Sequence, residues 1–95
     1  MFLGAFHFDG RLDDVLPAYE RMLAGYPPES LELHICVERE GGITVYDACP
    51  SRAVFDQFTA SDQFRSAITA AGLPVPHIEP VGEVHTTRVR ERVAG

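Results

Sequence analysis

The stretch Leu31-Glu32-Leu33-His34-Ile35-Cys36-Val37-Glu38-Arg39-Glu40-Gly41-Gly42-Ile43-Thr44-Val45-Tyr46-Asp47-Ala48-Cys49 decides the fold. From Leu31 to Glu38, the residues Leu31, Leu33, Ile35 and Val37 alternate with Glu32, His34, Cys36 and Glu38. That period of two is the mark of a strand with two unlike faces. Gly41-Gly42 supplies a turn and Ile43 to Cys49 returns as a second strand, so the stretch predicts a β-hairpin. With an even connection centred on Glu40-Gly41, His34 faces Asp47, Ile35 faces Tyr46 and Cys36 faces Val45. A bulge of one residue would shift every pair.

On the N-terminal side, Phe2 to Phe8 carries bulk on both faces and predicts a central strand, closed by the turn signal Asp9-Gly10. Leu12, Val15, Leu16, Tyr19, Met22, Leu23 and Tyr26 then fall at helical spacing and predict an amphipathic helix of about fifteen residues. Asp13 and Asp14 suit its start, and Pro17 is tolerated if it lies within the first turn. Gly25 and Pro27-Pro28 end it. On the C-terminal side, Ser51 is an N-cap candidate for a second helix whose buried face is Val54, Phe55 and Phe58. Ser61-Asp62 is a point of restart, and Phe64, Ile68 and Ala71 continue the stripe. Gly72, Pro74 and Pro76 stop the helix, and a last strand is expected from about Glu79 to Val89, before a solvated tail holding Arg88, Arg90 and Arg92.

The order β-α-β-β-α-β predicts a single α+β domain over residues 1–95. It is the ferredoxin-like pattern, a four-stranded antiparallel sheet with the helices on one face. The other face carries apolar residues as well. In so short a chain a second copy is the natural cover, so a homodimer packed sheet to sheet is expected.

Of the 95 residues, 45% are hydrophobic, and no apolar run approaches the ~20 residues of a membrane span. The net charge of −6 argues against a nucleic-acid partner. Met1 leads into Phe2-Leu3-Gly4-Ala5-Phe6 without a basic region, and His7 and Asp9 interrupt the run. No signal peptide is read there, and a cytoplasmic location is expected. The chain has no Lys, which removes Schiff-base and P-loop chemistry. Cys36 and Cys49 make no CxxC and are expected as buried free thiols.

Three segments resemble the small dimeric α+β barrel proteins related to antibiotic biosynthesis monooxygenases. They are Leu33-His34-Ile35-Cys36, Gly41-Gly42-Ile43-Thr44-Val45-Tyr46-Asp47, and Ser51-Arg52-Ala53-Val54-Phe55-Asp56-Gln57-Phe58, with Ala71-Gly72-Leu73-Pro74 and Val84-His85 behind them. The resemblance implies two copies forming a dimeric α+β barrel. It also implies a monooxygenase-, cyclase- or isomerase-type activity on an apolar or polyketide-like molecule. Where such relatives often carry Trp-Glu before the serine, this chain has Cys49-Pro50, which leaves either a roomier site or a different packing solution.

In the simple hairpin register, His34 and Asp47 share one face with Cβ atoms ~5 Å apart. A carboxylate beside an imidazole fixes its tautomer and strengthens it as a base, so these two are the first catalytic candidates. The same pair would also serve as a structural lock on the register. His7 on the first strand and His85 on the last are expected on adjacent strands, either of them placed to hold an oxyanion. Three histidines and an aspartate converging would also suit a metal- or haem-binding protein, but no pair has the spacing of a metal motif and no metal is assigned. His77, in the proline-rich connector, reads as a surface residue. Tyr19, Tyr26 and Tyr46 each offer a phenol to orient a polar ligand, and Phe6, Phe55 and Phe58 an apolar lining. No motif for an organic cofactor is present. A non-catalytic dimer makes the opposite prediction, that the His34 face is packed shut without the ~300 Å³ a ligand requires.

Overall fold

The computed structural model describes residues 1–27 and 31–90. Its elements are β1 (Phe2–Asp9), α1 (Leu12–Leu23), β2 (Leu33–Arg39), β3 (Gly42–Cys49), α2 (Arg52–Thr59), α3 (Asp62–Ala71) and β4 (His77–Glu83). The strands form one antiparallel sheet in the order β2-β3-β1-β4, with β1 central as its two-sided bulk required. This α+β arrangement is compatible with a ferredoxin-like fold. Pro28 and Arg92, read above as part of a helix stop and of a solvated tail, lie outside the described residues.

The hairpin register is the one expected: His34 opposes Asp47, Ile35 opposes Tyr46 and Cys36 opposes Val45. Glu40 and Gly41 form the two-residue connection, and Gly41 takes the left-handed backbone (φ 83°) that the turn demands. The next residue, Gly42, lets the hairpin press on β1. A Cβ there would stand 2.0 Å from the Phe8 carbonyl oxygen.

Alternation then sorts the side chains. Phe2, Phe6 and Phe8 of β1, with Ile43 and Val45 of β3, meet Val15, Ala18 and Tyr19 of α1, Phe55 of α2, and Phe64 and Ile68 of α3. Burying each large side chain contributes roughly 1.5–3 kcal/mol. Gly4 interrupts the phenylalanine row for a steric reason. The Phe55 ring occupies the space a Cβ would need, held 5.3 Å from the Phe2 ring and 6.0 Å from the Phe6 ring between centroids.

The first helix departs from expectation at two points. α1 starts at Leu12, so Pro17 lies beyond the first turn and deprives the Asp13 carbonyl of its partner. Both residues are exposed, so water replaces the bond, while burial of Val15, Ala18 and Tyr19 holds the helix. α1 also ends at Leu23, before Tyr26, which belongs to the loop. The segment from Arg52 to Ala71 restarts at Ser61-Asp62 as expected and is two helices, because Ser51 and Ser61 each cap one: their hydroxyls accept from the Val54 and Phe64 backbone N–H groups. Gly72 closes α3 in the left-handed conformation (φ 82°).

The last strand is displaced toward the N-terminus. β4 spans His77–Glu83, with a register irregularity between Leu3 and Gly4 of its partner, and pairing does not continue to Val89. Beyond Glu83 the chain passes the end of β1, where the Val84 N–H donates to the Met1 carbonyl, and the strand has no neighbour left to pair with.

Gly4→Ala tests the steric account of the core. It is expected to lower stability by about 1–3 kcal/mol, because the ring it displaces is packed on both sides. The midpoint of urea unfolding reads this directly.

Candidate functional site

The hairpin puts His34 and Asp47 on the sheet face covered by helices, and α1 adds Tyr19 to them. The His34 Nδ1 lies 2.5 Å from Asp47 Oδ1, and its Nε2 lies 2.5 Å from the Tyr19 hydroxyl. The Tyr19 and His34 rings lie nearly parallel, with an interplanar angle of 2° and centroids 5.8 Å apart. A carboxylate can only accept, so the imidazole proton sits on Nδ1 and is donated to Asp47. Burial first, then the nearby Cys36, Glu20 and Asp47, push the Tyr19 phenol up to about 12. Tyr19 therefore stays protonated at neutral pH and donates to Nε2. Asp47, His34 and Tyr19 form one directed chain, with both ring nitrogens engaged.

This chain borders a cavity of about 440 Å³ between sheet and helices. Its apolar wall comes from Phe6, Phe8 and Val45 of the sheet, Met22 and Leu23 of α1, and Val54, Phe58 and Phe64 of the later helices. His34, Asp47, Tyr26, Glu32 and Cys49 supply its polar groups. Among the described residues the buried polar side chains are Thr44 and Asp47, and of these two Asp47 alone reaches the cavity. Cys49 and Pro50 both lie in the wall. Burial, then Asp47 and Glu32, raise the Cys49 thiol, which leaves it a neutral wall group and not a nucleophile. Cys36 is also a free thiol, half-buried, and is raised chiefly by burial; a hydrogen bond to Tyr19 acts in the opposite direction.

The other predicted residues divide. Phe6 and Phe58 line the cavity; Phe55 does not, being wedged over Gly4 behind it. Tyr19 reaches the site as the partner of His34 and not as part of the wall. Tyr46 falls on the opposite sheet face, since it alternates with Val45 and Asp47. His7 is on that opposite face too. Its Nδ1 lies 2.9 Å from Thr44 Oγ1 and its Nε2 2.9 Å from Glu79 Oε1, and it stacks on His77 at 5.8 Å. His77 is thus exposed, as expected, but belongs to β4 and not to a connector. His85 lies past β4 and is exposed. The expected convergence of three histidines with Asp47 does not occur: one residue of offset along a strand sends His7 through the sheet, and β4 ends before His85. No group of three or more His, Cys, Asp or Glu among the described residues is placed to hold a metal ion.

Tyr26 is the group that periodicity misassigned. It continued the α1 stripe, but Gly25 ends the helix first and the loop carries the phenol to the cavity wall. No family model, curated protein or solved structure matches the chain.

Tyr19 also makes a pH prediction. Its phenol ionises near 10 when unfolded and near 12 when folded, so its contribution to stability is complete below about pH 10. Above that the unfolded chain releases the proton first, and the contribution is lost as pH rises toward about 12. The stability difference between wild type and Tyr19→Phe, from urea unfolding, is expected to be on the order of 1 kcal/mol near neutral pH. It should then shrink across that alkaline window.

Proposed function

We propose that the protein is a small-molecule enzyme working without an organic cofactor. Its substrate is a largely apolar, polyketide-like or aromatic compound, and its chemistry is His34-assisted proton transfer at the Asp47–His34–Tyr19 chain, of the monooxygenase, cyclase or isomerase type. The observation that carries this reading is the cavity. Its volume of about 440 Å³ exceeds what a packed, purely structural face would leave, and it opens on the buried carboxylate–imidazole pair. A chain of directed hydrogen bonds ending in an apolar hollow is the arrangement general acid–base catalysis uses. The resemblance to the dimeric α+β barrel proteins points the same way.

The same reading makes the working form a homodimer in the cytoplasm. On the face away from the helices, Ile35 and Val37 remain 46% and 41% exposed, beside Leu3 and Tyr46, and Val81 at the β4 irregularity is 47% exposed. A second copy related by a two-fold axis would cover this face and complete the barrel. No helix among the described residues is long and apolar enough to cross a membrane.

Two measurements test this. Incubated in D₂O with an enolisable bicyclic ketone such as 2-tetralone, the protein is expected to accelerate proton exchange at the activated carbon by about 100-fold or more over buffer, read by NMR. Binding without acceleration would favour a ligand-binding dimer instead. Sedimentation equilibrium is expected to give twice the chain mass, and Val37→Glu to give the monomer. A wild-type monomer at micromolar concentration would reject the barrel.

A further inference from the structure

Among the described residues, Asp47 Oδ2 and the Tyr26 hydroxyl both belong to side chains that line the cavity and neither has a hydrogen-bond partner. Asp47 Oδ1 is taken by His34, and the structure shows no hydrogen bond to Oδ2. Yet among the described residues no side-chain oxygen or nitrogen is both sealed from solvent and unpaired. Oδ2 is therefore accessible, and the hollow that Asp47 lines is where it is reached. The Tyr26 hydroxyl likewise has no hydrogen bond among the described residues. Tyr26 is fixed just past α1 by its backbone N–H, which donates to the Leu23 carbonyl at 3.0 Å. Both groups line the same cavity. Burial first, and the Asp47 carboxylate second, raise the Tyr26 phenol, which keeps the hydroxyl a donor at neutral pH. The imidazole stands differently. With Nδ1 given to Asp47 and Nε2 occupied by Tyr19, His34 offers the cavity no free lone pair.

Resting on the reading of this cavity as an active site, we propose that Asp47 Oδ2 takes the substrate's proton and the Tyr26 hydroxyl holds the oxygen on which charge develops. The substrate is then a neutral, mostly apolar, enolisable ketone. His34 and Tyr19 are positioning residues: one fixes the carboxylate and the other fixes the imidazole. In the step, a C–H bond next to the carbonyl breaks and its proton passes to Oδ2. The electron pair moves into the carbon framework as an enolate, whose oxygen accepts from Tyr26. Return of the proton to the same carbon, or to a conjugated one, regenerates the carboxylate without an oxidant or reductant. Charge sets the ligand class. Among the described residues no arginine lines the cavity, and Glu32 and Asp47 are both in its wall, so a carboxylate or phosphate ester would meet two like charges and no counter-charge there.

The deuterium-exchange assay on 2-tetralone, run on variants of the full chain, separates the roles. Asp47→Asn is expected to remove about 100-fold or more of the acceleration. Tyr26→Phe is expected to lower kcat on the order of 100-fold. His34→Ala should also lose activity, and His34→Asn should restore most of it, because the asparagine amide can donate to Oδ1 where Nδ1 did. His34→Asn as inactive as Asp47→Asn would make the imidazole the base and overturn the assignment alone. Full activity in Asp47→Asn or Tyr26→Phe would do the same. A wild type that gives no acceleration overturns the enzymatic reading and this assignment together. A calorimetric titration covers the case in which Asp47→Asn fails to fold. Wild type is expected to bind 2-tetralone at least tenfold more tightly than 2-naphthoate (about 1.4 kcal/mol), and equal or reversed affinity contradicts the assignment.

Discussion

A carboxylate on the covered face of a sheet is a demand that the rest of the structure has to meet. Asp47 sits in β3, one position from the edge strand, under α1, and is almost fully withdrawn from solvent. Left without a donor, such a group costs several kcal/mol. The donor is His34, and His34 can reach only because the Glu40-Gly41 connection holds β2 in one register. A slip of one residue would send the imidazole to the other face and leave Asp47 unpaired. Tyr19 then answers a second demand, the imidazole's remaining nitrogen. Hairpin register, helix placement and the polar chain therefore stabilise one another, and the site is part of what makes the native arrangement unique.

The cavity follows from how the helices end. α1 stops at Leu23, and α2 and α3 are two short helices with a break at Ala60-Ser61. The Phe55 ring is spent on covering Gly4, while Phe58 packs on Phe64 at 4.7 Å between centroids. These aromatics cluster at one end, and Cys49-Pro50 puts small groups beside Asp47 where a bulkier pair would fill the space. What remains is an apolar hollow against a polar floor, in which the low dielectric strengthens every hydrogen bond a ligand makes.

How much of this was legible depended on range. The hairpin, its register and the His34–Asp47 pair could be read because period-two alternation and a glycine turn are local signals that agree. The capping serines were legible for the same reason. His7 and His85 were misplaced because strand neighbours alone do not say which face a side chain takes or where pairing stops. The face of His7 was readable from its own strand, since it alternates with Phe6 and Phe8. The end of β4 was not, because it is set by where β1 runs out. Tyr26 fitted the helical period but not the helix, since Gly25 acts on the backbone and periodicity counts only side chains. That Tyr19 binds His34 is a contact between a helix and an edge strand, for which no local pattern exists.

The two faces of the sheet carry two separate polar systems, and the tautomers differ accordingly. On the helix side His34 donates from Nδ1 to Asp47. On the open side the Thr44 hydroxyl serves His7 Nδ1, Nε2 donates to Glu79, and Arg39 links Thr44 to Asp9. Neighbouring residues of β3 divide between the systems, Asp47 turned inward and Thr44 and Tyr46 outward. A partner seated on the open face would therefore press on the backs of the strands that hold the site without supplying any group to it. Such a division would leave the open face free for association and the inner face for the polar chain, with only the strand backbones shared between them.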